Sequence, residues 1–138
     1  MIQGLILKLF NLTKMVEFIL YVSNQEQSKK FYKILLGKEP SLDAPGMTEF
    51  LLEENCKLGL MPNEGIAKIL GGKTPHPSEG TGIPRCELYL SFENALEVLK
   101  RAVLAGAIEV SPMEKRSWGD SVGYLSDADG HIIAIVQK

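Results

Sequence analysis

The chain has 138 residues, of which 45% are hydrophobic and 23% charged, and its net charge is −2. That length favours one domain with a modest core. The near-neutral balance, with basic residues scattered rather than clustered, gives no electrostatic surface for nucleic acid.

The opening run Met1 to Lys14 is apolar but shorter than the about 20 residues a bilayer span needs, and it lacks the cleavage site of a signal peptide. No membrane partner is therefore expected. Ile2, Leu5, Ile6, Leu9 and Phe10 fall at helical spacing. They predict a short element over 1–14 packed on the domain or on a second subunit, with Met15 an alternative start.

Glu17 to Val22 alternates as a strand. Ser23 and Glu26 form a capping box for a helix whose buried face carries Phe31, Ile34 and Leu35 and which Gly37 stops. Thr48 to Leu52 and Cys56 to Leu60 read as strands around a Glu53-Glu54-Asn55 turn. Residues 63–84 are rich in glycine and proline and read as a linker or mobile flap. The plan then returns after about seventy residues: a strand at Glu87 to Phe92, then a helix with Ala95, Leu96, Leu99, Ala102 and Val103 inward, stopped by Gly106. Ala107 to Val110 precedes a closing hairpin, whose Asp127-Ala128-Asp129-Gly130 turn uses aspartate hydrogen bonds and a glycine at positive φ. The class is α+β, built from two repeated β-α-β-β-β modules at 15–62 and 85–138.

Cys56 and Cys86 have no partner at metal-finger or redox spacing, so two free thiols in a reducing cytoplasm are expected. Gly71-Gly72-Lys73-Thr74 lacks the upstream glycine of a phosphate loop.

Two stretches carry a resemblance: Glu17 to Asn24 with Ser28, Phe31-Tyr32 and Leu36-Gly37, and Trp118 to Ile135. They are similar to the vicinal oxygen chelate superfamily, which includes glyoxalases, bleomycin-resistance proteins and dihydroxybiphenyl dioxygenases. The resemblance implies a single domain over 15–138 whose paired modules curl mixed sheets into a ligand-holding cup. Alternation places Glu17, Ile19 and Tyr21 of the first strand, Glu87 and Tyr89 of the second module's first strand, and Ala134 of the last strand toward that cup. Phe50, Trp118 and Tyr124 are expected to complete an aromatic wall.

Metal-dependent members place His, Gln or Glu at the first strands and Glu in the last strand of a module. Glu17 and Glu87 match the first pair, whereas Ala134 stands in the last-strand position. Its first-module counterpart, within Lys57 to Met61, offers no carboxylate or imidazole. Two ligands fall short of the three that a catalytic divalent site needs. The resemblance thus points to the metal-free bleomycin-resistance branch: a homodimer binding a planar or cationic small molecule, with no cofactor. A metal-dependent lyase or isomerase and a non-catalytic interaction protein are the alternatives. His131 is expected to end the hairpin structurally, and His76 to lie exposed in the linker.

Overall fold

The computed structural model describes residues 2–5 and 13–138. Two four-stranded mixed sheets make the fold. The first contains β1 (Val16–Val22), β2 (Leu42–Ala44), β3 (Met47–Glu53) and β4 (Cys56–Pro62), in the order β1-β4-β3-β2. The second contains β5 (Glu87–Phe92), β6 (Ile108–Lys115), β7 (Ser121–Ser126) and β8 (Ile132–Gln137), in the order β5-β8-β7-β6. In each, the first strand pairs in parallel with the last and the other neighbours are antiparallel. The repeat expected from the sequence is therefore the architecture itself.

Helix α1 (Gln25–Leu36) follows β1, and α3 (Ala95–Leu104) follows β5. Each buries one stripe at the i, i+3, i+4, i+7 spacing of a helix face: Ser28, Phe31, Tyr32 and Leu35 in α1, Ala95, Val98, Leu99 and Ala102 in α3. This corrects the sequence reading of both helices. Ile34, Leu96 and Val103 lie beside the stripe and are exposed. Tyr32 and Val98 are the buried residues instead. A tyrosine is tolerated at a fully buried site because its hydroxyl finds a carboxylate, described below.

The N-cap of α1 is Asn24, not Ser23; its side chain accepts from the Gln27 N–H at 2.9 Å. Ser23 is occupied elsewhere, donating its own N–H to Asp129 of the second module at 2.9 Å. Gly37 closes the helix at φ 67, a left-handed conformation that glycine adopts without strain.

Residues 63–84 are more ordered than a flap. They hold a helix, α2 (Asn63–Leu70), and a 3-10 turn at Pro77–Gly80. His76 caps that turn, with its ring Nδ1 accepting from the Ser78 N–H, and its Nε2 lies 3.1 Å from Glu64 on α2. At the N-terminus, residues 2–5 are helical and Ile2 and Leu5 are exposed. Ile6, Leu9 and Phe10, the rest of the expected apolar stripe, lie outside the described residues.

The helix-side faces of both modules contribute to one core, from Leu20, Leu35 and Phe50 to Val98, Ile133 and Ile135. Gly123 lets α3 approach β7: a Cβ there would stand 2.5 Å from Leu99 Cδ1. Three polar contacts fasten the modules across this core. Arg101 of α3 donates to the Leu35 carbonyl at the end of α1 at 2.8 Å, a cation where the helix carbonyls are unpaired. The Ser23–Asp129 bond is the second. The third is Tyr32 Oη, which donates to Asp127 Oδ2 at 2.6 Å although the two are 95 positions apart in sequence.

Asp127 also accepts at Oδ1 from the N–H groups of Asp129 and His131, and its Oδ2 lies 2.9 Å from His131 Nδ1. Burial works against its charge, but the hydrogen bonds from His131 and Tyr32 outweigh it and hold its pKa below the ordinary carboxylate value. The other ring nitrogen of His131 faces Arg85 at 2.7 Å. Because Arg85 can only donate, Nε2 is the acceptor and Nδ1 carries the hydrogen given to Asp127. The aspartates and His131 thus play the structural parts that the sequence suggested.

Candidate functional site

Side chains that alternate away from the core line one open face on each sheet. On the first sheet these are Glu17, Ile19 and Tyr21 of β1, in register with Lys57, Gly59 and Met61 of β4. Glu49 of β3 is paired with Gly59 from the other side. On the second sheet, Glu87, Tyr89 and Ser91 of β5 match Ile132, Ala134 and Val136 of β8, with Tyr124 of β7 opposite Ala134.

Glu17, Ile19, Tyr21, Glu87, Tyr89 and Tyr124 therefore take the faces expected from alternation. Phe50 does not. It sits in register with Leu58 on the helix side and is fully buried in the core, which corrects its expected place in an aromatic wall. Ala134 is on the open face but has no accessible surface, lying between Tyr89 and Tyr124 in one row across three strands.

The second face is organised around aromatic rings. Trp118 lies in the turn between β6 and β7, where Gly119 takes φ 107. Its indole Nε1 donates to Tyr89 Oη at 2.8 Å, and Tyr89 Oη in turn donates to Asp120 Oδ2 at 2.6 Å. That last bond raises the Tyr89 pKa above its ordinary value, so the phenol remains a donor. Trp118 is nevertheless 57% exposed and Tyr89 42% exposed. Two large rings are thus held in fixed positions while facing solvent, with a carboxylate at their edge. The guanidinium of Arg116 stands 5.1 Å from the Tyr124 ring centroid and is itself tied to the Val122 carbonyl at 2.9 Å. Beneath these groups Val122, Ala134 and Val136 form a small apolar floor.

The first face is polar at its centre. Gly59 has no side chain, and the Glu17 carboxyl occupies the space above it: a Cβ at 59 would lie 2.5 Å from Glu17 Oε2. Lys57 Nζ reaches Glu49 Oε1 at 3.4 Å. Glu87, the second-module counterpart of Glu17, is exposed.

Strand register also tests the metal site of the superfamily. Gly59 and Ala134 hold equivalent positions in the two modules, each two residues along from the partner of the first-strand glutamate. Neither can coordinate. Among the described residues, no group of three or more His, Cys, Asp or Glu side chains is placed to hold a metal ion. Of the described residues, Glu17 and Glu87 match the superfamily's first-strand ligand positions, one short of the three protein ligands that a catalytic divalent site uses.

Asp120, Arg116 and Glu49 are site residues that the sequence reading missed. Only the pairing of β6 with β7 and of β3 with β4 reveals them. No described helix is long and apolar enough to cross a membrane.

Two sheets of β-α-β-β-β origin, helices on one side and open faces on the other, define a glyoxalase / bleomycin-resistance / dioxygenase fold. Solved structures share it. A glyoxalase-related enzyme from Fulvimarina pelagi superposes with a TM-score of 0.75 at 22% identity, over 92% of this chain and 89% of that one. A hypothetical protein from S. aureus gives 0.76 at 18% identity, over 96% and 99%. The Glyoxalase-like domain family matches residues 15–138, and the chain belongs to that family, within the vicinal oxygen chelate superfamily. Uncharacterised proteins of Mycobacterium bovis and Mycobacterium tuberculosis are 30% identical over 106 residues, 75% of this chain. The matched region spans 66% and 59% of the length of those relatives.

Proposed function

We propose that the protein captures a planar, cationic small molecule against the aromatic face of the second sheet, without a metal. The observation that carries this reading is the Trp118–Tyr89–Asp120 chain, which presents two fixed rings and an anionic edge to solvent. Rings supply apolar area and attract cations over their faces, and the carboxylate sets orientation. Gly59 and Ala134 support the metal-free part, because both coordinating positions lack a donor atom.

We further infer a homodimer with one small-molecule ligand type, working in the cytoplasm. Strand β1 is a sheet edge, and Val16, Phe18, Ile19 and Tyr21 expose apolar surface on both of its faces. Such an edge favours pairing with another chain. The free thiols of Cys56 and Cys86 suit a reducing compartment.

Thermal-shift measurements with aromatic cations, their neutral isosteres and aromatic anions test the ligand class. A cation at a hundred times its dissociation constant should add about 2.7 kcal/mol of stability, and Trp118→Ala should abolish the gain. Equal responses to cations and anions would refute the charge assignment. Elemental analysis of protein purified without chelator tests the metal-free reading. A stoichiometric transition metal would overturn it in favour of a glyoxalase-like lyase or isomerase. Light scattering that gives a monomer would remove the dimer.

A further inference from the structure

We propose that the aromatic face of the second sheet selects a zwitterion: a planar cation held at Trp118, Tyr89 and Asp120 whose own carboxylate is received by the guanidinium of Arg116. This second anchor rests on the aromatic-face reading above and narrows the ligand class that the face accepts.

Strand register lays out the face. Tyr89 of β5, Ala134 of β8, Tyr124 of β7 and Ser111 of β6 form one row across the sheet. Neighbouring strands lie about 4.8 Å apart, so Tyr89 and Tyr124 stand about 10 Å apart in that row. Charges of opposite sign mark its two ends. At Tyr89, the phenol donates to the Asp120 carboxylate at 2.6 Å. At Tyr124, the guanidinium of Arg116 lies over the ring, with Cζ 5.1 Å from its centroid. The floor between them is apolar.

Arg116 is held as a fork with one end left over. Its Nε donates to the Val122 carbonyl at 3.1 Å. Its Nη2 is shared among Ser111 Oγ at 3.0 Å, the Pro112 carbonyl at 2.8 Å and the Val122 carbonyl at 2.9 Å. All of these partners belong to the paired strands β6 and β7. Nη1 instead meets a side-chain carboxylate, Glu114 at 2.9 Å. The Glu114 side chain is 59% exposed, against 16% for Arg116. A guanidinium carries two N–H groups on Nη1. Glu114 takes one, and an ion pair with so exposed a partner contributes little. A ligand carboxylate that displaces Glu114 therefore meets a donor already fixed in place.

The charges of the face exclude the simpler ligands. A bare cation is repelled by Arg116. A bare anion is repelled by Asp120 and by Glu87, two residues before Tyr89 on the same face of β5. A molecule that carries both signs across a ring satisfies both ends, and the two charges also set which way round it lies.

The test uses the full chain and three probes built on one ring: trimethylanilinium bearing a para-carboxylate, the methyl ester of that acid, and benzoate. Trp118 is the only tryptophan of the chain and is 57% exposed, so its fluorescence reads occupancy of this face. The zwitterion should bind about tenfold more tightly than its ester, the worth of one charge-assisted hydrogen bond, and benzoate should bind more weakly than either. Arg116→Gln should erase the advantage of the zwitterion without weakening the ester. Asp120→Asn should weaken both. Glu114→Gln removes the competing carboxylate and should tighten the zwitterion but not the ester; it decides the matter if Arg116→Gln does not fold. A zwitterion no tighter than an ester that itself binds would overturn the proposal and leave the cation reading standing. A chain that binds neither would sink both. An advantage that survives Arg116→Gln, or that Glu114→Gln leaves in place, would also overturn it.

Discussion

Replacing Tyr32 by phenylalanine removes one oxygen atom from the middle of the molecule and tests how the two modules are joined. The ring stays, so packing against Phe31 at a 5.0 Å centroid distance is kept. What disappears is the 2.6 Å bond to Asp127, in a place where both residues are buried. Hydrogen bonds to a charged group contribute about 1.5–3 kcal/mol. Asp127 would retain its two N–H donors and His131, so it is not left bare, and the lower half of that range applies. We expect a loss of about 2 kcal/mol. For a domain of this size that lowers Tm by roughly 8 °C, at about 4 °C per kcal/mol. Urea unfolding is the assay: the midpoint should fall with an unchanged m-value, since the same surface is exposed on unfolding. A loss below about 0.5 kcal/mol would refute the idea that this bond fastens the modules.

Other outcomes follow from the same structure. Asp127 has a lowered folded pKa, so its contribution to stability is complete above the unfolded value of 3.8 and is lost as pH falls through the lower folded value. Asp127→Asn should be less stable at neutral pH and show a flatter acid limb in urea titrations. Glu17 has the opposite sign: its contribution is complete below 4.5 and lost as pH rises through about 7, a decline that Glu17→Gln should remove. Gly130→Ala meets the Gly82 Cα at 2.6 Å and forces a side chain to φ 89, so a loss of more than about 2 kcal/mol is expected by calorimetry. Ala134→Glu buries a carboxylate between Tyr89 and Tyr124; urea unfolding should show a cost of about 2–4 kcal/mol at pH 8 and less at pH 5, where burial leaves a larger share of the acid protonated.

The repeat was legible because each module announces itself: an alternating strand, a polar cap and an apolar helix closed by glycine. The helix phase was less so. Ile34 is as apolar as Leu35, so composition does not say which is buried; the fold buries residues 28, 31, 32 and 35, with the Tyr32 hydroxyl partnered by Asp127. Phe50 was misplaced because Phe50 and Leu51, on opposite faces of β3, are both large and apolar, so composition does not say which face is buried. In Asn63–Leu70, Gly65 and the neighbouring prolines concealed a helix. The first-strand residues of the site could be read from alternation alone. Glu49, Asp120 and Arg116 could not, because their neighbours are set by pairing between strands and not by spacing along one.

Asp127 lies in the loop of a hairpin, where a duplicated chain would be free to vary, yet it is among the most tightly held side chains in the molecule. The weakest seam of a two-part protein is usually its joint; here the joint is riveted, and slack is left to the outward surfaces. Exposed residues such as Tyr21, Trp118 or Leu51 can therefore change without loosening the hull that carries them.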